Sequence, residues 1–366
     1  MKSKLGILFI FIFLMSCNNK SHYAFDVKEI DFVNKTGEVI DGIDTQIDIM
    51  GGDDILICDS LLLILTRDPM GQLKVFSLSD YKFLVNLCIE GRARNEFFHP
   101  TFLSDQWFFN KDGDIILPII DNTQIQKEIN LSQSIKEHKT VVQPNVSDCL
   151  SIMDGNFVLI DNDRNKKFQC FRAHEDEVEL GKYCVPEYKI TESDEVVREI
   201  KVFPTLMKFV NEENSRGMYF GSLRKHPSKN IIIQPFQYMD YILRFDLDNN
   251  DFYAIHQIGS LSFDDIIPQK DGPSLFNFTS ICYTPDYLFL LYHAGEYSQS
   301  FPDYDDSFPE VYVFDWDCNY LGGIKLGQEV HDIAYDEKNR KLIGLQRSKD
   351  IIYSFDLSLF LPSLMK

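Results

Sequence analysis

A cysteine at position 17 closes the stretch Leu14-Met15-Ser16-Cys17, after an apolar run over residues 5–15 that follows Lys2 and Lys4. A basic start, a short apolar run and a small residue before the cut are the marks of an export signal. At about 1.5 Å per residue the run covers roughly half of a 30 Å hydrocarbon core, too little to span it. Cysteine right after the cut adds a thiol, a nucleophile that can carry lipid chains. The pattern therefore predicts a signal peptide over 1–16 and a lipidated tether over 17–23, with the membrane as a partner through the anchor. Several chains at about 0.8 kcal/mol per buried CH₂ hold a protein stably, where one does not.

The next chemistry-bearing cluster is Arg92, Arg94 and Glu96 within one connection. Two guanidinium groups this close can clamp a carboxylate or sulfate bidentately, or pin neighbouring units through the many acids around them. His293, at the end of an apolar run, can line a channel mouth or sit in the core. The oxygens of Asp303, Asp305 and Asp306 suit Ca²⁺, but an EF-hand's glycine and distal glutamate are missing, so no metal is expected there. Seven cysteines remain after Cys17: Cys58, Cys88, Cys149, Cys170, Cys184, Cys282 and Cys318. Most lie in apolar runs, where cysteine acts as a small hydrophobe, and no C-x-x-C occurs. Phosphate-loop, dinucleotide, zincin and nucleophile-elbow motifs are absent, so no cofactor is expected. With 36 Lys+Arg against 56 Asp+Glu the net charge is −20, which repels phosphate backbones and argues against nucleic acid as a partner.

These residues need a scaffold, and the scaffold is written as a repeat. Alternating apolar residues, an aromatic and then turn residues recur at Leu73-Lys74-Val75-Phe76-Ser77, Phe168-Gln169-Cys170-Phe171 and Tyr241-Ile242-Leu243-Arg244-Phe245-Asp246. They recur again at Val311-Tyr312-Val313-Phe314-Asp315 and Ile351-Ile352-Tyr353-Ser354-Phe355-Asp356, with a weaker copy at Gln124-Ile125-Gln126-Lys127. Each copy reads as the third strand of a four-stranded antiparallel unit, the blade of a β-propeller. The expected fold is all-β: six blades at about 54–89, 101–142, 148–184, 217–258, 277–326 and 329–356, in one domain over 24–366. The last unit lacks a fourth strand, so an N-terminal strand must close the ring, with 24–33 and 45–50 as candidates. Only residues 193–201 offer helical spacing.

Strand parity then predicts which ends meet. Turns between strands 1 and 2 and between 3 and 4 share one face; 2–3 loops and blade-to-blade connections share the other. The short turns at Asp59-Ser60, Asp154-Gly155, 315–319 and 336–339 fall in the first class. The long segments 91–100, 185–216, 259–276 and 293–309 fall in the second, and long ordered loops tend to carry function. A ligand is thus expected on the long-loop rim, with Arg67, Arg92, Arg94, Glu96, Arg216 and His293 around it.

Cys17 with its preceding residues resembles a bacterial lipobox. The stretch Gly91-Arg92-Ala93-Arg94-Asn95-Glu96-Phe97 resembles the Gly-Arg-Gly-Pro-x-Glu-Phe of TolB-like six-bladed propeller lipoproteins of Bacteroidota, with Ala93-Arg94 in place of Gly-Pro. His226-Pro227-Ser228-Lys229-Asn230 and Asp336-Glu337-Lys338-Asn339 are also similar. The resemblance implies the fold and an outer-membrane lipid anchor; the first acid after Cys17 is Asp26, which for that group points to the periplasmic side. It lends no activity. Two functions are open: a non-catalytic module that binds a peptide, glycan or protein, or a glycan hydrolase or lyase with paired carboxylates in the funnel, roughly 5–10 Å apart.

Overall fold

The computed structural model describes residues 26–32, 36–103, 105–121, 125–144, 147–148, 155–161, 165–171, 187–193, 195–202, 221–237, 239–260, 275–296 and 309–361. Six small sheets stand around an axis, each with its earliest propeller strand innermost. The first blade is Gly52–Cys58, Leu61–Thr66, Leu73–Ser77 and Phe83–Leu87. The second has a split inner strand, Thr101–Phe102 and Phe108–Phe109, both paired with Ile115–Asp121, then Ile125–Asn130 and Ser147–Asp148. The third is Gly155–Leu159, Lys166–Phe171, Glu187–Glu192 and Glu195–Ile200. The fourth is Arg224–Lys225, Ile231–Pro235, Tyr241–Asp246 and Asp251–Gln257. The fifth is Leu275–Tyr283, Leu288–Glu296, Glu310–Phe314 and Tyr320–Leu326. The sixth has Asp332–Asp336, Lys341–Gln346 and Ile351–Asp356.

The missing outer strand of the sixth blade comes from the N-terminus, as the open edge required. Ile43–Asp44 pairs antiparallel with Ile351–Asp356, and Thr45 N–H donates to the Ile352 carbonyl at 2.9 Å. So closure falls at the head of the 45–50 candidate and just before it. The other candidate does different work. Asp26–Ile30 adds in parallel to the outer edge of the fourth blade, and Thr36–Ile40 does the same to the fifth. Between them Phe32 is fully buried among Phe278, Tyr292, Tyr312, Phe314 and Tyr320, with ring centroids 5.2–6.5 Å away. The N-terminal segment thus covers two edges that would otherwise be open to pairing.

Three expectations are corrected. Glu195–Ile200 is a strand, not a helix, and with Glu187–Glu192 it lies inside the third blade, so that blade ends near 200 rather than 184. Phe168–Phe171 accordingly belongs to the second strand of its blade, and Gly155 begins the first strand instead of making a turn. A short helix, Leu131–Glu137, appears where none was expected. The Asn130 side chain starts it by accepting from Gln133 N–H at 2.8 Å.

Central strands such as Leu61–Thr66 and Tyr241–Asp246 are buried along their whole length, because blades pack on both of their faces. One apolar cluster fills each seam between neighbours, including the seam between the sixth and first blades, where Ile47 and Ile49 join Ile55, Ile64, Ile343 and Leu345. At about 25 cal/mol per Å² of apolar surface, these seams supply most of the drive to close the ring. The seam between the second and third blades is the smallest among the described residues, with Leu103, Phe157 and Leu159 buried. There Gln106 brackets Leu159, donating to its carbonyl at 3.0 Å and accepting from its N–H at 2.8 Å. Five cysteines, Cys58, Cys88, Cys170, Cys282 and Cys318, are buried thiols; Cys149 and Cys184 lie outside the described residues.

Turn chemistry gathers on one face. Asp246 accepts from Asn249 N–H at 3.0 Å and from its amide at 3.0 Å; Asp336 and Asn339 repeat the pattern at 3.1 and 2.7 Å. Asp315 does likewise with Asn319, at 2.8 Å for each bond. An aspartate ending a strand fixes the reversal by satisfying the backbone of the turn it starts.

Candidate functional site: a polar-floored chamber in the funnel

The funnel opens on that short-turn face into a chamber of about 1270 Å³. Its rim carries Asp59 and Ser60 of the first blade, Asp161 of the third, His226 of the fourth, Thr284 of the fifth and Glu337 of the sixth. Aromatic rings form part of the wall: Trp107 and Phe109, edge to face at 5.5 Å, with Tyr283 and Tyr335.

The floor is built along the innermost strands of five of the blades. Asp54 comes from the first, Asp105 from the bow between the halves of the second, Arg224 from the fourth and Asp332 from the sixth, with Ser280 of the fifth beside them. Asp332 is anchored by Ile55 N–H, which donates to Oδ2 at 2.8 Å, and by the Ser280 hydroxyl, which donates to Oδ1. Ser280 is held in turn, accepting from Ile333 N–H at 3.2 Å. Asp332 stands beside Asp54, close enough to raise the cost of charging it. Burial first, and the Asp332 charge second, hold the Asp54 carboxyl well above the ordinary carboxylate range. Burial also raises Asp105, against the pull of Arg224. Burial works against the Arg224 charge, but Asp105 ahead of Tyr283, Asp54 and Asp332 keeps it fully protonated.

Arg224 is the cation set among these carboxyls, with Arg347 acting more weakly on Asp54. Arg224 Nη1 donates to the Leu223 carbonyl at 3.1 Å. Its Nε lies 2.9 Å from Asp105 Oδ2, at ion-pair distance, yet that N–H is fully buried with no acceptor in line with it. Asp105 thus already puts an oxygen at contact distance of this N–H, and the pair is held by charge more than by alignment. Asp54 and Asp332 stand side by side, nearer than the roughly 5–10 Å separation of a glycosidase pair.

The residues expected from the sequence on the opposite rim do not line this chamber. Arg67 is exposed in the 2–3 loop of the first blade, 3.6 Å from Asp53. Arg92 and Arg94 are exposed in the connection to the second blade, and Arg94 Nη2 donates to the Gln143 carbonyl at 3.1 Å. Glu96 turns back on its own loop, accepting from Ala93 N–H at 2.8 Å. His293 is buried, its ring 6.4 Å from that of His331. Burial, and then the neighbouring His331, lower it to about 3. Arg216 and residues 303–306 lie outside the described residues. By strand order Arg67, the Arg92–Glu96 loop and His293 stand at the same face. Asp54, Asp105, Arg224 and Asp332 were not foreseen; their one signal is a charged residue beside the first apolar run of a unit.

No protein-family model matches the sequence, and no curated protein does. Among solved structures the chain is similar to Raptor from Chaetomium thermophilum, at 11% identity and TM-score 0.48, covering 88% of this chain but only 29% of that one. It is similar to a Bacteroides fragilis protein thought to be exported, at 10% identity and TM-score 0.49, over 90% of this chain and 97% of that one. The WD40 domain of Neurospora crassa Pan2 follows at 12% identity and TM-score 0.41, over 84% and 78%. At these values the likenesses assign neither family nor activity. The strand pairing of the chain itself establishes a six-bladed β-propeller.

Proposed function

We propose that the chain is a lipid-anchored, periplasm-facing binding propeller of the TolB-like kind, holding a peptide, glycan or protein at the outer membrane without transforming it. The chamber on the short-turn face carries this reading: it is large, lined by aromatic and hydrogen-bonding groups, and floored by a guanidinium among three carboxyls. The crowding of Asp54 against Asp332 supports the non-catalytic reading over a glycan hydrolase or lyase, whose paired carboxyls stand roughly 5–10 Å apart. The tether rests on Leu14-Met15-Ser16-Cys17. Among the described residues no helix is long and apolar enough to cross a membrane. A second site on the opposite rim, around Arg67, Arg92, Arg94, Glu96, Arg216 and His293, is favoured by the exposure of its first three guanidinium groups.

Trp107, in the chamber wall, and the buried Trp316 are the two tryptophans, so intrinsic fluorescence tests the site. Size-fractionated envelope extract should contain a component that shifts this emission, and the shift should vanish in Trp107→Phe. If no fraction shifts emission or melting, the chamber is not a binding site. Cys17→Ala should abolish lipid labelling and leave the precursor uncut; a mature, lipid-free chain starting at residue 17 would rule out the anchor.

A further inference from the structure

Resting on the chamber as a binding site, we propose that its ligand is a neutral oligosaccharide whose hydroxyl groups bridge Arg224 and the floor carboxyls while its rings lie against Trp107 and its aromatic neighbours. The Arg224 guanidinium is the first discriminator. Its Nε is shut off against Asp105, but the side chain as a whole lines the chamber, and a group that reaches it must bring a lone pair. An ammonium or guanidinium has none to offer. A carboxylate or sulfate has several, but it would approach Asp105 and Asp332 together with Asp54, in a chain already at −20. A hydroxyl accepts from Arg224 and donates to a carboxylate with the same oxygen, and so meets both demands without adding charge.

The floor offers both partners to such a group. Asp332 has each oxygen already held by a fixed donor, so it is set in place rather than free to swing. Asp54, its carboxyl held above the ordinary range by burial beside Asp332, offers a further donor, and Asp105 beside Arg224 a further acceptor. Alternating donors and acceptors from four blades match the vicinal hydroxyls of a sugar better than the sparse polar groups of an apolar ligand. The wall supplies the complement. A pyranose has an apolar face of C–H groups, and Trp107, Phe109, Tyr283 and Tyr335 present rings to the same chamber. A volume of about 1270 Å³ exceeds the range of roughly 300–1,000 Å³ for a single small ligand, so more than one ring is accommodated.

The test uses the full lipidated chain in detergent, read by tryptophan emission and by calorimetry. The probes are neutral gluco-, manno-, galacto- and xylo-oligosaccharides of four to six rings, with spermidine and oligogalacturonate in parallel. One neutral series should bind, with an affinity that holds from about 50 to about 500 mM salt. Trp107→Ala should weaken it about tenfold by calorimetry; because the ring also packs on the core between the first two blades, the comparison is made well below the variant's melting temperature. Arg224→Lys keeps the charge but not the Nε–H, and should weaken it about tenfold as well while leaving the Trp107 emission of the unliganded protein in place. Binding of spermidine or oligogalacturonate with no neutral sugar bound would overturn the saccharide assignment and leave the chamber standing. Silence from every probe, with an envelope fraction still shifting Trp107, would do the same. Silence from probes and fractions alike would remove both.

Discussion

The two faces of the ring handle buried ionisable groups in opposite ways. On the short-turn face the funnel is open, and acids are crowded at its floor: Asp54, Asp105 and Asp332 stand around Arg224, and burial holds Asp54 and Asp105 toward their protonated forms. Toward the other face the axis is packed with histidines held neutral. His293 and His331 lie with rings 6.4 Å apart, His331 Nε2 is 3.4 Å from Glu329, and its Nδ1 accepts from Arg347 N–H at 3.2 Å. Burial is the leading cause of every one of these shifts, yet it favours the protonated form for the acids and the deprotonated form for the histidines. The folded state is therefore penalised at both ends of the pH scale, by different faces.

The largest expected effect separates the two arms. His293 falls from an ordinary 6.5 to about 3 on folding. The folded state binds fewer protons than the unfolded chain in that window, so the stability this group gives is present above about pH 6.5 and is lost as pH falls toward 3. Among the groups that act on it are His331, Arg347 and the Val330 backbone, and none of these supplies a carboxylate to offset a second charge. His293→Gln should flatten the acid limb of a melting-temperature profile by several degrees between pH 6.5 and 4, with the neutral limb unchanged. An unaltered acid limb would move acid sensitivity away from this face.

Next in size is a contrast between two arginines. Arg244 has 5% of its side chain exposed and bridges the fourth and fifth blades, donating to the Trp316 carbonyl at 2.9 Å and to Asp317 at 2.7 Å. Arg94 on the other face is exposed and makes one bond, to Gln143. Arg244→Met should cost about 2–3 kcal/mol in urea unfolding, from lost charged hydrogen bonds and orphaned acceptors. Arg94→Met should stay within about 0.5 kcal/mol. Equal costs would mean that the faces are clamped alike.

A smaller effect of opposite sign is expected at the floor. Because the folded Asp54 carboxyl holds its proton above the ordinary 3.8, its contribution is greatest at low pH and is lost as pH rises from 3.8 through the folded value. Asp332 of the sixth blade and Asp105 of the second repel its charge, and Arg347 weakly favours it. Asp54→Asn keeps a donor for Asp332 without a charge, and should raise stability at pH 8 by about 1 kcal/mol while leaving pH 4 unchanged. A loss at pH 8 would mean that the carboxylate is paired there rather than crowded.

These effects also show what the sequence could reveal. Blades with strong turn chemistry, such as those ending at Asp246, Asp315 and Asp336, were legible because the turn side chains and the apolar alternation act locally. Glu195–Ile200 was not, because an outermost strand facing solvent carries charges whose spacing also suits a helix. The parallel addition of Asp26–Ile30 was hidden for another reason: its partner lies more than two hundred residues away. The chamber floor suffers most from such distance. Asp54, Asp105, Arg224 and Asp332 meet only once the ring closes, and no local spacing joins them.

The smallest expected effect concerns the loop that the sequence did single out. Arg92 and Arg94 stand exposed between the first and second blades, while Glu96 is turned inward and Lys127 donates to its carbonyl and to Asp121, the latter at 3.0 Å. The fold of this loop thus rests on Glu96, Lys127 and Asp121, and on Phe97, which is fully buried beneath them. The two guanidinium groups lie outside that arrangement, apart from the one bond to Gln143. The Arg92→Ala/Arg94→Ala double variant should therefore melt within about a degree of the parent. If it also keeps full capture of the envelope component that shifts Trp107, ligand binding belongs to the short-turn face alone. Lost capture at an unchanged melting temperature would give the long-loop rim a site of its own. A fall of several degrees with capture intact would make the pair a pin between blades, and the two faces would then be clamped by the same device.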